Sequence, residues 1–285
     1  MDPIRLGCVK YLNTLPLIEG LQACRDVVLS AAVPAKLIGM LERDEADVAL
    51  ASVIDAARST VEVALLPVGM IGCDGSTMTV RVFSSVPFEE LHEVCADTDS
   101  HTSVALLQIV MWRRHARRLR VVEFDARERM ALGDGAGRLP DAAWPQAMLL
   151  IGDKVVTDSP PAVRYPHQMD LGAAWKELTG LPFVYATWMC RADRVEDPRV
   201  RLAAALLERQ RLHNATRLDW IVDARAGERH WPTDLAREYL GERLRFDLAD
   251  RERDAVELFL SSAASLALAP RTQPRWAEHA VAAAR

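Results

Sequence analysis

Short apolar runs alternate with helix-like segments along most of the chain, and this alternation limits the fold more than any other feature. The runs "IRLGCV", "ADVALAS", "VEVALLPVGM" and "AMLLIGD" are typical of buried strands, and several of them end in a polar turn. Between them, segments such as "VPAKLIGMLERD" carry apolar residues at helical spacing. Helices that alternate with buried strands predict parallel sheets with right-handed crossovers, so we expect an α/β fold.

Length and charge narrow the class of protein further. A chain of 285 residues exceeds the usual size of one domain, which favours two lobes of roughly 100 to 150 residues each. The formal net charge of −5 provides no general attraction to nucleic acid or to an anionic membrane, so an anionic ligand must be bound by local donors. The chain has neither a signal-peptide pattern at its start nor an apolar run long enough to span a membrane. We therefore expect a cytoplasmic protein with neither a membrane nor a nucleic-acid partner.

Motifs for metal binding and for covalent catalysis are missing from the sequence. The five cysteines are widely spaced without a C-x-x-C pair, which argues against a disulfide framework and a zinc site. No two of the seven histidines have the i, i+4 spacing of a helical metal site, and no G-x-S-x-G elbow occurs. We expect no metal and no cofactor.

Two further patterns have ordinary interpretations. The basic run "RRHARRLR", Arg113–Arg120, lacks interleaved aromatic residues, so we interpret it as a solvated helix end and not as a nucleic-acid patch. The glycine-rich "GDGAG", Gly133–Gly137, has neither the lysine nor the spacing of a phosphate-binding loop, and a surface turn is the better interpretation.

Small polar residues follow the predicted strands. Tyr11, Asn13 and Thr14 lie between the first strand-like run and a helix-like run, and Ser52 ends the run "ADVALAS". Ligands of open α/β sheets bind at the carboxyl ends of the strands, where Asn13 and Ser52 fall. Either Asn13 or Thr14 is positioned to cap the helix that follows.

Two later segments offer candidate ligand contacts. Ser100 or Thr102 is expected to cap the helix in "DSHTSVALLQIV", which exposes the backbone N–H groups of its first turn. For Thr102 and Ser103, anion binding and ordinary capping are both open, and the two are compatible. Gly152 and Asp153 follow the strand "AMLLI", where Asp153 either takes part in ligand binding or proton abstraction, or caps the next turn.

The ordered motifs resemble those of a known family. The segments "YLNTLPL", "ADVALAS", "DGSTMTVRVFSS", "HTSVALL", "LLIGD", "DLGAAWKELTGLPFVYATW" and "YLGERLRFDL" are similar in order and spacing to those of the chorismate dehydratases of the futalosine route to menaquinone. The resemblance covers nearly the whole chain. The sister family of dihydroxynaphthoate synthases typically begins with a "CPND"-like turn and is a weaker match.

The resemblance implies a type II periplasmic-binding-protein-like fold, with two α/β lobes and a ligand cleft between them. The first lobe would comprise residues 1–80 and 187–285, and the second residues 85–182. Two crossing segments, near residues 79–85 and 183–187, would act as a hinge.

The resemblance also implies a lyase that removes water from chorismate and yields 3-[(1-carboxyvinyl)oxy]benzoate. Asn13 would be the catalytic residue, without metal or cofactor. The implied substrate-binding residues are Tyr11, Thr14, Ser52, Ser76, Thr79, Thr102, Ser103, Gly152 and Asp153.

Two alternatives stay open at this point. One is the reaction of the sister naphthoate synthase, and the other is a non-catalytic cytoplasmic protein that binds a small anion. An exported transport receptor would need a signal peptide and a transcriptional sensor a helix-turn-helix domain, so a stand-alone copy of this fold favours an enzyme. The sequence does not predict an oligomeric state.

Overall fold

Two β-sheets form the frame of the protein. The computed structural model describes residues 2–97, 100–124 and 144–278. In this part of the chain the first sheet has the strands β1 (Ile4–Cys8), β2 (Val27–Ala31), β3 (Val48–Ser52), β4 (Val63–Cys73), β10 (Phe183–Arg191) and β11 (Leu244–Arg245). The second sheet has β5 (Val80–Ser84), β6 (Glu93–Asp97), β7 (Arg120–Phe124), β8 (Ala147–Ile151) and β9 (His167–Asp170). The spatial orders are β11-β4-β10-β3-β1-β2 and β7-β6-β8-β5-β9.

Helices cover both sheets. They are α1 (Leu15–Ile18), α2 (Pro34–Glu42), α3 (Asp55–Arg58), α4 (His101–His115), α5 (Lys154–Thr157), α6 (Leu171–Thr179), α7 (Pro198–Ala215), α8 (Leu218–Arg225), α9 (Thr233–Glu238) and α10 (Asp250–Ser265). A short π-helix, Tyr239–Arg243, follows α9. Within the described residues, no helix is long and apolar enough to cross a membrane.

Both sheets are mixed, so the predicted parallel pairing is found in only part of each sheet. Strand β1 pairs in parallel with β2 and β3, as expected, but β10 runs antiparallel to its neighbours β3 and β4. The physical reason is the direction in which the chain returns. Strands β3 and β4 end at the side of the sheet that faces the second sheet, whereas β10 begins there, with Phe183 opposite Cys73. A strand that comes back from the second sheet must therefore run the opposite way.

The chain crosses between the sheets twice. It leaves the first sheet at Cys73 and joins the second at Val80, and it returns to the first sheet at Phe183. Strand β5 is a full member of the second sheet and β10 of the first, so the connecting residues precede both strands. The exact lobe boundaries, 1–80 with 187–285 and 85–182, stay a prediction.

The hydrophobic core lies on both faces of the sheets. All residues of β3 are buried, as expected for a central strand with helices on both sides. A separate cluster joins Leu12 and Leu15 to Trp231 and Tyr239 near the C-terminal helices. Burial of one such large side chain stabilises the fold by roughly 1.5–3 kcal/mol, so this cluster holds the segment after β1 firmly in place.

The basic run has the structure of a helix end. Helix α4 ends at His115, and Ala116 caps it with a φ of 50°. Arg114 pairs with Glu177, and Arg113 donates to the Ser262 hydroxyl at 3.0 Å. Both arginines thus have interaction partners within the protein. The predicted turn at Gly133–Gly137 lies outside the described residues.

Candidate active site

A cavity lies where the two sheets face each other. Its accessible volume is about 70 Å³, which is small for a ligand site. Its walls are formed by Val9, Tyr11, Asn13, Pro34, Leu50, Ser52, Ile71, Thr77, Thr79, Val80, Ser100, Thr102, Ser103, Ile151, Gly152, Tyr185, Ala186, Tyr239 and Leu244. Both sheets contribute, so a ligand in the cavity would contact both lobes.

The lining of the cavity is uncharged and mostly apolar, with a small number of polar groups. Of the described residues that form its walls, none is a lysine, arginine, histidine, aspartate or glutamate. The polar groups are hydroxyls, one side-chain amide and backbone N–H groups at the start of α4. Neutral donors of this kind bind anions without placing a fixed charge next to the reacting atoms.

The turn that carries Asn13 is fixed by its apolar neighbours. It follows β1 as a short 3₁₀ segment, Leu12–Thr14, and continues into α1, whose first turn contains Pro16. Leu12 is buried, whereas Asn13 stays partly exposed and lines the cavity. Thr14 has the N-cap position of α1, but its hydroxyl makes no cap and instead donates to Asn13 Oδ1 at 3.3 Å. The predicted cap is thus replaced by a contact that holds the Asn13 amide.

Asp153 supports this turn from the second sheet. The backbone N–H of Leu12 donates to its two carboxylate oxygens at 3.2 and 3.4 Å. Burial raises the pKa of the Asp153 carboxyl above its ordinary value, although the hydrogen bond from Leu12 opposes this rise. The nearby Trp231 side chain and the Arg229 charge oppose it as well. Asp153 has the N-cap position of α5 without a side-chain cap bond, and it does not line the cavity.

The start of α4 forms the opposite wall. Ser100 caps the helix, since its hydroxyl accepts the N–H of Ser103 at 3.2 Å. Thr102 Oγ1 accepts the backbone N–H of Ile54 at 3.3 Å, and His101 Nδ1 lies 2.8 Å from Asp55 Oδ1. Thr102 and Ser103 both line the cavity, so the N-terminal end of α4 faces it.

Ser76 is turned away from the cavity by Asp170. Its hydroxyl donates to Asp170 Oδ2 at 2.9 Å, and the backbone N–H groups of Thr77 and Met78 donate to the same carboxylate at 2.8–3.0 Å. The neighbouring residue Thr77 lines the cavity instead, with its hydroxyl 2.7 Å from that of Tyr185. The sequence analysis missed Thr77 as a site residue by one position.

Tyr239 is a second residue that the sequence analysis missed. Its side chain is fully buried, lines the cavity and is hydrogen-bonded to Thr79 Oγ1 at 2.7 Å. The ring stacks on Trp231 with 4.9 Å between ring centroids. An aromatic residue in a helical segment usually indicates core packing, and only its place in "YLGERLRFDL" could have indicated a functional role.

The structure brings most of the predicted site residues together. The predicted residues in the cavity wall are Tyr11, Asn13, Ser52, Thr79, Thr102, Ser103 and Gly152. Thr14, Ser76 and Asp153 are outside the wall, and substrate contacts for them stay a prediction. In the described part of the chain, no group of three or more histidine, cysteine, aspartate or glutamate side chains is arranged to hold a metal ion.

Known proteins are similar to this chain in fold and in sequence. The periplasmic aliphatic sulphonate binding protein SsuA from Escherichia coli has a TM-score of 0.60 at 14% identity, covering 96% of this chain and 90% of that chain. A structural-genomics protein from Archaeoglobus fulgidus has a TM-score of 0.66 at 15% identity, covering 93% and 98%. These likenesses confirm the predicted periplasmic-binding-protein-like fold.

A relative in sequence is the chorismate dehydratase of Thermus thermophilus. It is 28% identical over 288 residues, which cover 96% of this chain and 100% of that protein. The sequence model of a family described as menaquinone biosynthesis matches residues 4–265. That match spans most of the chain, which therefore belongs to the menaquinone biosynthesis family.

Proposed function

We propose that this protein is a chorismate dehydratase, which converts chorismate into 3-[(1-carboxyvinyl)oxy]benzoate and water in menaquinone biosynthesis. The observation that carries the proposal is the uncharged cavity lined by Asn13 and several hydroxyl groups, in a member of the menaquinone biosynthesis family. The full-length similarity to the Thermus thermophilus dehydratase supports the same reaction. We also propose that the protein works in the cytoplasm.

The reaction places limited demands on the enzyme. The proton that is lost lies γ to the ring carboxylate through a ring double bond, and the departing hydroxyl group is on the adjacent carbon. Elimination creates a benzene ring, so the substrate itself supplies the thermodynamic drive. The protein has to bind two carboxylates, align the C–H and C–O bonds, and stabilise charge that spreads onto the ring carboxylate.

The cavity offers separate donors for the two carboxylates. One is bound at the start of α4, where Thr102 and Ser103 add hydroxyl groups to the helix N-terminus. Because Thr102 Oγ1 already accepts the N–H of Ile54, its own proton remains available for the substrate. The other carboxylate is bound by the hydroxyl of Ser52 or Thr79 on the opposite side.

The substrate provides the base in this proposal. No carboxylate or histidine belongs to the described wall of the cavity, so we assign proton abstraction to the enolpyruvyl carboxylate of chorismate. The C–H electron pair becomes a ring π bond as the C–O bond breaks. The hydroxide that leaves takes up the abstracted proton and departs as water. Asn13 orients the enolpyruvyl carboxylate or the leaving hydroxyl by hydrogen bonding.

The first experiment is to mix the purified protein with chorismate, without added metal or cofactor, and to follow the products by chromatography with mass detection. A product lighter than chorismate by one water is expected, and Asn13→Ala should lower its rate by about 100-fold or more. Unchanged chorismate together with clear calorimetric binding would contradict the proposal and indicate a binding protein.

The assignment of the base needs a separate experiment. An analogue of chorismate without the enolpyruvyl carboxylate should bind in the cavity but fail to lose water. Elimination from this analogue at a rate comparable to that of chorismate would overturn substrate-assisted proton abstraction and leave the dehydratase assignment intact.

A further inference from the structure

The segment "YLGER" forms a π-helix at the edge of the cavity. It comprises Tyr239–Arg243 and lies between α9 and strand β11. Such segments are rare and occur frequently at functional sites, since the wider turn redirects side chains. Here the segment begins with Tyr239, whose fully buried ring lines the cavity. The family-like motif "YLGERLRFDL" therefore contributes directly to the site.

The Tyr239 hydroxyl is hydrogen-bonded to one polar residue of the cavity wall and has an electrostatic interaction with another. It lies 2.7 Å from Thr79 Oγ1, and it also interacts with the side chain of Asn13. Burial is the largest effect on this group and raises the pKa of Tyr239 well above its ordinary value, so the hydroxyl keeps its proton at neutral pH. A neutral phenol donates one hydrogen bond and accepts others, which allows it to serve both neighbours at once.

The Asn13 amide has different partners at its two ends. Its oxygen accepts the hydroxyl proton of Thr14 at 3.3 Å. The amide nitrogen is then the end able to donate to the Tyr239 hydroxyl, and its second N–H group would remain for the cavity. Rotation of the amide by half a turn would break both interactions.

Packing holds the ring and the turn in one rigid unit. The Tyr239 ring stacks on Trp231 with an angle of 9° between the two planes. Both rings belong to the hydrophobic cluster that also contains Leu12 and Leu15, the residues on either side of the Asn13–Thr14 pair. The hydroxyl is therefore fixed relative to the Asn13 amide by apolar contacts that do not depend on a ligand.

We propose that Tyr239 is a positioning residue for the dehydration, one that fixes the orientation of the Asn13 amide and of the Thr79 hydroxyl toward the substrate. This inference rests on the proposed dehydratase function. Tyr239 transfers no proton in this role. Its effect passes through Asn13 and Thr79, whose side chains line the cavity.

The test is Tyr239→Phe, which removes the hydroxyl and keeps the stack on Trp231. We expect kcat to fall by about 10- to 100-fold, because a misplaced catalytic group costs that much, while KM changes by no more than about threefold. The matched control is Tyr165→Phe. Tyr165 is also fully buried and its hydroxyl donates to the Pro145 carbonyl at 2.8 Å, but it does not line the cavity. This control should lower the thermal midpoint to a similar extent and leave kcat unchanged.

A double-mutant cycle separates positioning from a structural role. In an Asn13→Ala background, Tyr239→Phe should cost clearly less in single-turnover rate than it does in the wild-type background, because one of the two groups that it positions is already gone. If Tyr239→Phe does not fold, Thr79→Val removes the other partner of the hydroxyl and should again lower kcat more than it raises KM.

The possible results distinguish failure of the positioning role from failure of the proposed function. The positioning role would be overturned if kcat is unchanged in Tyr239→Phe, or if Tyr239→Phe lowers the rate by the same factor with and without Asn13. In either case, turnover by the wild-type protein would keep the dehydratase assignment. A wild-type protein that does not turn over chorismate would overturn the proposed function, and the role of Tyr239 with it.

Discussion

The backbone N–H of Leu12 donates to the carboxylate of Asp153 at 3.2 and 3.4 Å, which ties the turn that carries Asn13 to the second sheet. Two further contacts join the start of α3 to the start of α4. These are the hydrogen bond from Ile54 N to Thr102 Oγ1 and the pair of His101 with Asp55. Together they join the two sides of the cavity.

Asp153→Asn should preserve the tie and remove a buried charge. The pKa of Asp153 is raised in the folded state, so the protonated carboxyl stabilises the fold. This stabilisation is fully present below the ordinary carboxyl pKa of about 4, and it is lost as the pH rises through the folded-state pKa. Asparagine can still accept the N–H of Leu12. In thermal unfolding, we therefore expect the midpoint of the variant minus that of wild type to become more positive from about pH 4 to about pH 7.

Activity of the same variant tests the alternative role of Asp153. If the substrate supplies the base, Asp153→Asn should keep most of its dehydratase activity. A loss of activity by about 100-fold or more, with the fold intact, would indicate that Asp153 abstracts the proton.

His101→Ala should weaken the contact between the lobes. Asp55 is almost fully buried, with one carboxylate oxygen paired to His101 and the other without a partner among the described residues. Removal of the imidazole leaves the buried Asp55 carboxylate without this hydrogen bond while the two lobes are in contact, which costs about 1–3 kcal/mol. We expect KM to rise by about fivefold or more and kcat to change little.

The control for this experiment is His167→Ala. His167 lies on strand β9 and packs near the Phe88 ring, away from the cavity wall. Its loss should leave KM unchanged. Small-angle scattering should show that unliganded His101→Ala is more expanded than wild type, and identical scattering with identical KM would contradict a role in closure.

Gly152→Ala and Gly180→Ala form a matched pair. Both glycines have a φ of +72°, where an alanine costs roughly 1–2 kcal/mol, so both variants should lose stability to a similar degree. A Cβ at Gly152 would lie 3.3 Å from the Tyr11 ring, whereas a Cβ at Gly180 would have no neighbour within 4 Å. Only Gly152→Ala should therefore displace Tyr11 and lower kcat/KM in steady-state assays. Equal kcat/KM for the two variants would show that the contact with Tyr11 has no effect on the site.

Thiol alkylation should leave the enzyme active. Burial raises the pKa of Cys8 and Cys190 to about 12 and that of Cys73 to about 11, so these thiols are protonated and inaccessible at pH 8. Cys24 and Cys95 are partly exposed. Mass spectrometry after iodoacetamide treatment should find label only on these two, against five labelled cysteines in the denatured chain. Labelling of Cys73 with loss of activity would contradict the buried site.

Local sequence pattern was enough to predict several residues of the cavity wall. Asn13, Ser52 and Gly152 follow predicted strands, and Thr102 and Ser103 begin a predicted helix, so each was placed by a signal within a few residues of itself. Ser76 was assigned from the family resemblance, and no local pattern distinguishes it from Thr77. The carboxylate of Asp170, far along the chain, decides which of the two faces the cavity.

Tyr239 and the direction of β10 could not be predicted in the same way. Tyr239 meets Thr79 across 160 residues of sequence, and its immediate surroundings have the ordinary apolar pattern of a packed helix. Strand β10 has the composition of a buried strand whichever way it runs. Its orientation follows from the path of the chain through the second sheet, which is a property of the whole fold.

The order of strands in the first sheet has a consequence for synthesis on the ribosome. Strand β10 lies between β3 and β4, but it is translated after the entire second sheet. Until residues 183–191 emerge, β3 and β4 have no partner between them, and each presents an apolar edge that is able to pair with another chain. The nascent protein therefore passes through a stage at which two apolar strand edges are exposed to aggregation, and that stage ends when β10 inserts between them.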